Sequence, residues 1–420
     1  MFLNDFDQEF ADGLQKLSAK LGRELTGLIV VDKKLKETNQ YVQDKNGVFA
    51  QEVCDFEDDM ALRKLAKSLE GKLLLVTCSS ERNQPYMKRI LPHVPYVLGP
   101  TESSLDWATF KVKMREMLGA YSPHLVPKVA QVVKGDEAEI QSILSNLSFP
   151  VIVKPAGLAA SVLVSRADDE AELRKVLAES MAVLGEIYVR DRGRGTPSMI
   201  VEEFIEGDMY AVDVYVDQTG KVSPLPLFRS KTGFAAGLSG FHIYEEGSYL
   251  ELTEEQKQAG YQAATEAMHS LGLRSCVGHI ELFHTKDGWK IIELGPRAGG
   301  QRQFMYEAAY GIDHGYNELL VKVGLEPEIT YTPISNITIV RFYADEEGIL
   351  TGVQGFEEAK ANPSIYNFRM RAEIGDLVAP SDGGGKAVVD GVLSNPDLDQ
   401  LAKDVNTVRS LIKVLTKPAA

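Results

Sequence analysis

Residues 278–284 (GHIELFH) and 289–294 (WKIIEL) are two short apolar runs separated by TKDG, and a chain written this way has little choice but to close an antiparallel hairpin. Glu281 lies on the outgoing strand and Glu293 at the end of the return strand, and if the turn sets them across from one another the two carboxylates face one pocket. The next residues, GPRAGG (295–300), hold Arg297 in a turn built of glycine and proline. Two carboxylates ~5 Å apart on one face repel unless a cation sits between them. A hard ion such as Mg²⁺ takes one or two protein carboxylates, keeps several waters and binds substrate phosphates. The pair therefore points to a phosphorylated ligand. Two edge glutamates on a solvated hairpin face have the same sequence signature.

Upstream, apolar groups at helical spacing over residues 8–22, the short run GLIVVD (27–32), the helical DMALRKLAKSLEG and a second run KLLLVT (72–77) predict a small parallel α/β unit. Three prolines in LPHVPYVLGPTESS (91–104) end it, giving an N-terminal domain of residues 1–105. WATFKVKMREML (107–118) opens the next block as a helix that carries Lys111 and Arg115 one turn apart on one face. FPVIVKP (149–155) and SVLVS (161–165) read as strands around the small-residue loop AGLAA, and MIVEEFI (199–205) and YAVDVYV (210–216) as strands around EGDM. The alternation in YAVDVYVD is that of an antiparallel strand with one wet face. A helix over TEEQKQAGYQAATEAMHSLG precedes the hairpin. From residue 333, SNITIVRFYAD and AVVDGVLS read as further strands, with a final helix near 397–415. The expected fold class is thus a multidomain α/β and α+β chain. Residues 1–105 form a parallel α/β domain, 106–332 two α+β lobes, and 333–420 a β-rich C-terminal lobe. GGGK (383–386) lacks the spacing of a P-loop and precedes a strand, so it is not assigned to nucleotide.

Charge narrows the partners. The 420 residues carry a net charge of −15, which repels nucleic acid and anionic membrane surfaces. An acidic N-terminus and the absence of about 18 uninterrupted apolar residues argue against a signal peptide and a membrane helix. Cys54, Cys78 and Cys276 have no metal or redox spacing and suit a reducing cytoplasm.

Other segments add chemistry. Lys154 ends a strand beside a loop, 156–160, without large polar side chains, so its backbone N–H groups are free to approach an anion, with the Ser161 hydroxyl as a further donor. VEEFIEG has the form of a linker between lobes, and Glu202, Glu203 and Phe204 offer backbone and apolar groups of the kind that hold adenine. The segment RSKTGFAAGLSGFHIY (229–244) reads as a long glycine-bearing loop with basic Arg229 and Lys231, suited to a lid. Each feature alone is also compatible with plain structure.

In their order, a lysine on a helix, VIVKP with its small loop, VEEFIEG, IEL, and IIELGPRAGG followed by AAYGID resemble the ATP-grasp superfamily over residues 106–330. The likeness is to its carboxylate–amine ligases, including the L-amino-acid ligases. The resemblance implies that Lys111 and Lys154 contact ATP phosphates under the loop AGLAAS, and that Glu202 and the Phe204 backbone hold adenine. It implies that Glu281 and Glu293 bind Mg²⁺ or Mn²⁺, and that Arg297 steadies the transferred phosphoryl group and the substrate carboxylate. His279, on the same strand face as Glu281, is placed beside the acyl phosphate. Lys231 and Arg302 are assigned to substrate, and Gly299 and Gly300 leave room for it. The chain departs from the family where a ribose-binding glutamate falls at Met209, for which Asp208 is the substitute, and where a third, asparagine metal ligand falls at Gly295.

The function so implied is an ADP-forming ligase that activates a carboxylate, an amino acid's, as an acyl phosphate and joins it to an amine. Small-molecule acid and amine are its partners, in a cytoplasmic homodimer. The alternatives are a carboxylase or formyl-transferring relative, for which no biotin-attachment sequence is present, and a non-catalytic nucleotide-binding regulatory subunit. Arg297 and the paired glutamates speak against the last, because ATP binding alone needs no arginine at an acyl site.

Overall fold

The computed structural model describes residues 1–5, 8–39, 41, 47, 49–159, 161–237, 240–381 and 385–419. Ala160 of the small-residue loop, Leu238 and Ser239 of the 229–244 segment, and Gly383 and Gly384 of GGGK lie outside them.

Strands of the described residues assemble into four sheets. At the N-terminus Phe2–Leu3, Leu28–Asp32 and Ala50–Cys54 pair in parallel, with the helix Asp59–Leu69 packed against them through Leu62, Leu65 and Ala66. KLLLVT is not a strand. Only Thr77 bridges to Phe2, through bonds to Leu3 and Met1. A four-stranded antiparallel sheet orders Val129–Val132, Met199–Glu203, Val151–Pro155 and Ser165–Ala167. The long helix Glu170–Arg190 covers it with Leu173, Leu177 and Leu184. SVLVS departs from its strand reading because Ser161 and Leu163 take left-handed backbone (φ 55° and 54°), and pairing begins only at Ser165.

The largest sheet has nine strands, and the chain crosses into it along residues 204–207. The hairpin Cys276–Thr285 and Gly288–Gly295 lies at one edge, next to Asp208–Val216. Phe228–Thr232, Ile243–Gly247, Asn336–Phe342, Val389–Asn395 and Ile365–Met370 follow in that order, and Val222–Pro224 pairs with Asp208–Val216 off this path. The sheet thus runs without a break from the hairpin into the C-terminal region. The strand expected to have one wet face has none: Met209 to Val216 are all buried, covered by the helix Glu254–Ser270 on one side and by Arg302–Tyr310 on the other. The helix Glu254–Ser270 starts at a capping box, in which Thr253 and Gln256 each accept from the other's backbone N–H. Past residue 397 the helix ends at Leu411, and Lys413–Lys417 forms a strand against Gly348–Gln354.

The segment read as one helix over 107–118 is two, Glu102–Thr109 and Lys111–Tyr121, separated by Phe110 in extended conformation. Phe110 packs its ring over Gly195, where an added Cβ would lie 2.8 Å from the ring. The break makes Lys111 the first residue of a new helix, its N–H donating to the Ala156 carbonyl at 3.0 Å.

Candidate active site

Lys111 and Arg115 sit one turn apart and both are buried. Lys111 Nζ lies 3.1 Å from Glu293 Oε1 and donates to the Leu158 carbonyl in the small-residue loop at 2.5 Å. Arg115 donates from Nε to Glu202 Oε1 at 2.6 Å, and from its terminal nitrogens to the Ile291 and Ile292 carbonyls, both at 2.7 Å. Lys154 Nζ meets the other Glu202 oxygen at 2.6 Å. The helix therefore staples the strand that carries Glu293 to the four-stranded sheet. Burial alone would raise the Glu202 carboxyl, but the charges of Arg115 and Lys154 outweigh it and hold the group at about 2. Burial dominates at Lys154, whose ammonium is held below the ordinary lysine range.

These contacts bear on the residues expected at adenine. The Glu202 carboxylate is committed to its two cations and does not present itself to adenine. The Phe204 N–H donates to the Pro150 carbonyl at 3.2 Å, so the Phe204 backbone offers a base only its own carbonyl. Glu203 is likewise engaged, accepting from the Lys128 N–H at 3.1 Å.

The hairpin register pairs Glu281 directly with Glu293. Among the described residues no group of three or more His, Cys, Asp or Glu side chains could by itself hold a metal. The two opposed carboxylates nonetheless offer the hard oxygen donors a divalent cation takes, with its remaining positions left to phosphate and water. Gly295, which stands where a third ligand was expected, has Arg297 over it: an added Cβ would rest 3.6 Å from the guanidinium carbon.

Behind the pair lies a residue that sequence reading missed. Asp213, in the strand Asp208–Val216, is fully buried. Its Oδ1 bonds His279 Nδ1 at 2.6 Å, and its Oδ2 accepts from His314 Nε2 at 2.8 Å and from the Gly299 N–H at 2.9 Å. His314 Nδ1 in turn meets the Tyr215 hydroxyl at 2.5 Å. The other nitrogen of His279 stands 3.7 Å from Glu281. Burial works against a charged imidazole at His279, but the Asp213 carboxylate and hydrogen bonding carry it above the ordinary histidine range. The available signal was a lone carboxylate in an otherwise apolar run, which two-sided burial turns into a buried anchor. Gly299 is required by close approach: a Cβ there would lie 2.5 Å from His279 Nδ1 and 2.7 Å from Arg302 Cγ. Its missing side chain thus makes space for these two residues, whereas Gly300 faces open space. Arg302, expected at substrate, is 2% exposed and holds Glu246 at 2.6 Å, with its guanidinium over the Phe228 ring. It works as an internal clamp.

Arg297 is met from the N-terminal region. Glu81 accepts from its Nη2 at 2.9 Å and also pairs with Arg194. Burial opposes the charge on Glu81, and the two guanidiniums overcome it and hold the carboxyl at about 2. Gln84 donates to the Pro296 carbonyl at 3.0 Å, so two residues from this region fix the GPRAGG turn.

Residues 229–244 are not one loop. Phe228–Thr232 and Ile243–Gly247 pair as strands, which leaves Lys231 exposed on a strand and residues 233–242 as the connecting tip. The described part of this tip reaches the small lobe. Phe234 stacks on Phe241 at 5.2 Å and meets Phe204 edge-on at 6.0 Å, while Arg166 lies over the Phe204 ring at 4.6 Å. Ser161 Oγ donates to the Phe241 carbonyl at 3.3 Å, so its hydroxyl joins the two loops. Asp208 is half-exposed and paired with Arg229 at 2.7 Å.

Comparison with known proteins agrees with this geometry. Residues 147–304 match the ATP-grasp domain. Over 237 residues, 55% of this chain, it is 38% identical to a D-alanine–D-alanine ligase of Streptococcus agalactiae, of which the match covers 64%. Over 210 residues, 48% of this chain, it is 26% identical to dapdiamide A synthase of Enterobacter agglomerans, covering 46% of that protein. The chain thus spans less than two thirds of either curated relative. Its fold superimposes on that of an L-amino acid ligase from Bacillus licheniformis with a TM-score of 0.77 at 19% identity, covering 99% of this chain and 98% of the other. No helix among the described residues is long and apolar enough to cross a membrane. Residues 147–304, which hold Lys154 and the opposed glutamates of the hairpin, thus match the ATP-grasp domain, and the chain as a whole has the fold seen in that L-amino acid ligase.

Proposed function

We propose that the chain is an ATP-dependent, ADP-forming ligase that activates the carboxylate of an amino acid as an acyl phosphate and joins it to an amine. The observation that carries this reading is the convergence of Lys111 on Glu293, with Arg297 leaving the end of the same strand. A site that only held nucleotide would need the lysines. The added arginine, in a rigid turn beside paired carboxylates, suits a group that accepts a phosphoryl.

The chemistry follows. A carboxylate is a poor electrophile, so its oxygen first attacks the γ-phosphorus of ATP, forming the acyl–O–P linkage as the bond to ADP breaks. Lys111 and Lys154 neutralise phosphate charge from the small-lobe side, and Arg297 does so from the turn. A divalent cation held by Glu281 and Glu293 would supply further charge neutralisation between the phosphates. The amine nitrogen then attacks the acyl carbon, inorganic phosphate leaves with the electron pair of the C–O bond, and the nitrogen loses a proton. His279, fixed by Asp213, orients Glu281. The tip over residues 233–242, docked on Phe204 and Arg166, keeps water from the acyl phosphate. Three free, buried cysteines suit the reducing cytoplasm in which such an enzyme would work.

A screen of acid and amine pairs for ADP release, with mass spectrometry of the products, tests the proposal. Amide product in step with ADP is expected. ADP release only with bicarbonate would overturn it in favour of carboxylation.

A further inference from the structure

The segment DRGRGTP (191–197), between the helix Glu170–Arg190 and the strand Met199–Glu203, lies against the small-residue loop and binds it backbone to backbone. Ala156 donates its N–H to the Ser198 carbonyl at 2.9 Å and accepts from the Lys111 N–H at 3.0 Å. Gly157 donates to the Tyr188 hydroxyl at 2.8 Å and accepts from the Arg194 N–H at 2.9 Å. These two N–H groups are therefore not the free donors expected of the loop, and an anion is left to the residues after them. Gly157 approaches Arg194 so closely that an added Cβ would stand 1.9 Å from its carbonyl oxygen. Neither backbone can shift without the other.

The Arg194 side chain leads away from the loop to the N-terminal region. Its Nη1 donates to the Glu81 backbone carbonyl at 3.1 Å, and its Nη2 to one oxygen of the Glu81 carboxylate, whose other oxygen holds Arg297. Asp191 in the same segment faces Arg82 at 3.7 Å. The Arg194 and Glu81 side chains are only 13% and 11% exposed, and Arg194 Nε is buried with no hydrogen-bond partner among the described residues. A guanidinium with an unpaired N–H in the interior is a cost that apolar packing would avoid, so stability alone does not account for an arginine here. What the arginine adds is reach. Its backbone sets the loop of the small lobe, while its two-pronged side chain sets Glu81 and, through it, the GPRAGG turn.

On the ligase reading given above, on which this rests, we propose that Arg194 is a positioning residue for phosphoryl transfer, acting through Gly157 and Glu81 and not on a reactant. By tying Gly157 to Glu81 it holds the loop at the ATP phosphates in fixed register with the turn that presents Arg297. The donor phosphoryl and the acceptor carboxylate then meet in one geometry. Without the tie, a bound nucleotide keeps its contacts to base and ribose and loses part of those to its outer phosphates.

Calorimetric titration of the full chain with AMP and with the non-hydrolysable β,γ-imido analogue of ATP, both with Mg²⁺, tests this. The two share adenine and ribose, so the ratio of their affinities reads the outer phosphates alone. The parent should bind the triphosphate about 10-fold or more tightly than AMP, and Arg194→Ala should cut that ratio by about 10-fold with AMP affinity unchanged. Arg194→Lys keeps an ion pair to Glu81 but cannot reach both of its oxygens, and should cut the ratio by about 3-fold. This milder variant decides the matter if the alanine chain does not fold. A ratio unchanged in the folded variants, or a weakening shared equally by AMP and the triphosphate, would overturn the positioning role. A parent that binds both nucleotides equally overturns that role and the ligase reading together. A ratio that collapses as expected, in a chain that forms no amide from any acid and amine, sinks the ligase reading alone.

Discussion

Asp213 and His279, 66 residues apart, are joined by a 2.6 Å hydrogen bond between the second and third strands from one edge of the largest sheet, and the carboxylate that makes it is wholly buried. A second histidine and a backbone N–H complete its coordination, so one side chain fixes the strand behind Glu281 and the turn after Arg297 together. Asp213→Asn keeps the shape and removes the charge. The expected outcome is a stability loss of about 3–5 kcal/mol, the cost of leaving buried partners uncompensated, with turnover reduced about 10- to 100-fold. Urea unfolding and ADP release read the two effects, and a variant matching the parent in both would remove Asp213 from the site.

Glu293→Gln should abolish metal-dependent ADP release while leaving nucleotide binding measurable without metal. The amide still accepts a hydrogen bond from Lys111 but cannot neutralise a cation. Turnover with an unchanged Mg²⁺ dependence would dismiss Glu293 as a metal ligand.

Arg297→Ala should lower kcat by about 10²-fold or more with ATP affinity nearly unchanged, as expected of a group acting on the transferred phosphoryl. Glu81→Gln should act through Arg297, with a smaller kcat loss and a changed KM for the acid, because the guanidinium loses its fixed partner. A loss confined to ATP binding in either variant would refute this placement.

Arg166→Ala removes the cation stacked over Phe204 and Phe234 and loosens the tip at residues 233–242. The expected result is uncoupling, with more phosphate released per amide formed, because water reaches the acyl phosphate. An unaltered ratio of phosphate to amide would relieve the tip of any role in excluding water.

The local part of this site was legible in the sequence. Alternation with a tight turn marks the hairpin, but regular pairing from that turn would set Glu281 across from Ile292, and a register shift between Glu281 and Leu282 is what brings it to Glu293. Contacts between distant segments were not. Glu81 reaches Arg297 across 216 residues and Arg115 reaches Glu202 across 87, and nothing in either segment alone encodes its partner. Asp213 looked like the polar face of a half-wet strand because burial on both faces depends on helices that pack later in the chain. SVLVS has the composition of a strand, yet two left-handed residues at the loop override that propensity. Roles borrowed from a motif carry no account of a side chain's local partners, such as Arg115 and Lys154 at Glu202.

Acid stability should depend on the buried carboxylates. Glu202 is held at about 2 against an ordinary 4.5, so the folded chain binds its proton less readily than the unfolded chain does. The stability it contributes is therefore fully present above about pH 5 and is lost as pH falls towards 2, by about 3 kcal/mol at roughly 1.4 kcal/mol per unit of difference. Glu81 and Glu246 are also held at about 2, with Arg297 and Arg302 among their partners, and act in the same window and with the same sign. Glu202→Gln should lower stability at pH 7, because Arg115 and Lys154 lose their shared anion. Its decline from pH 5 to 3 should nevertheless be shallower than the parent's, since the Glu202 protonation step has gone. Thermal midpoints measured across that range decide it: a variant whose midpoint falls as steeply as the parent's would show that the Glu202 carboxylate carries no such linkage.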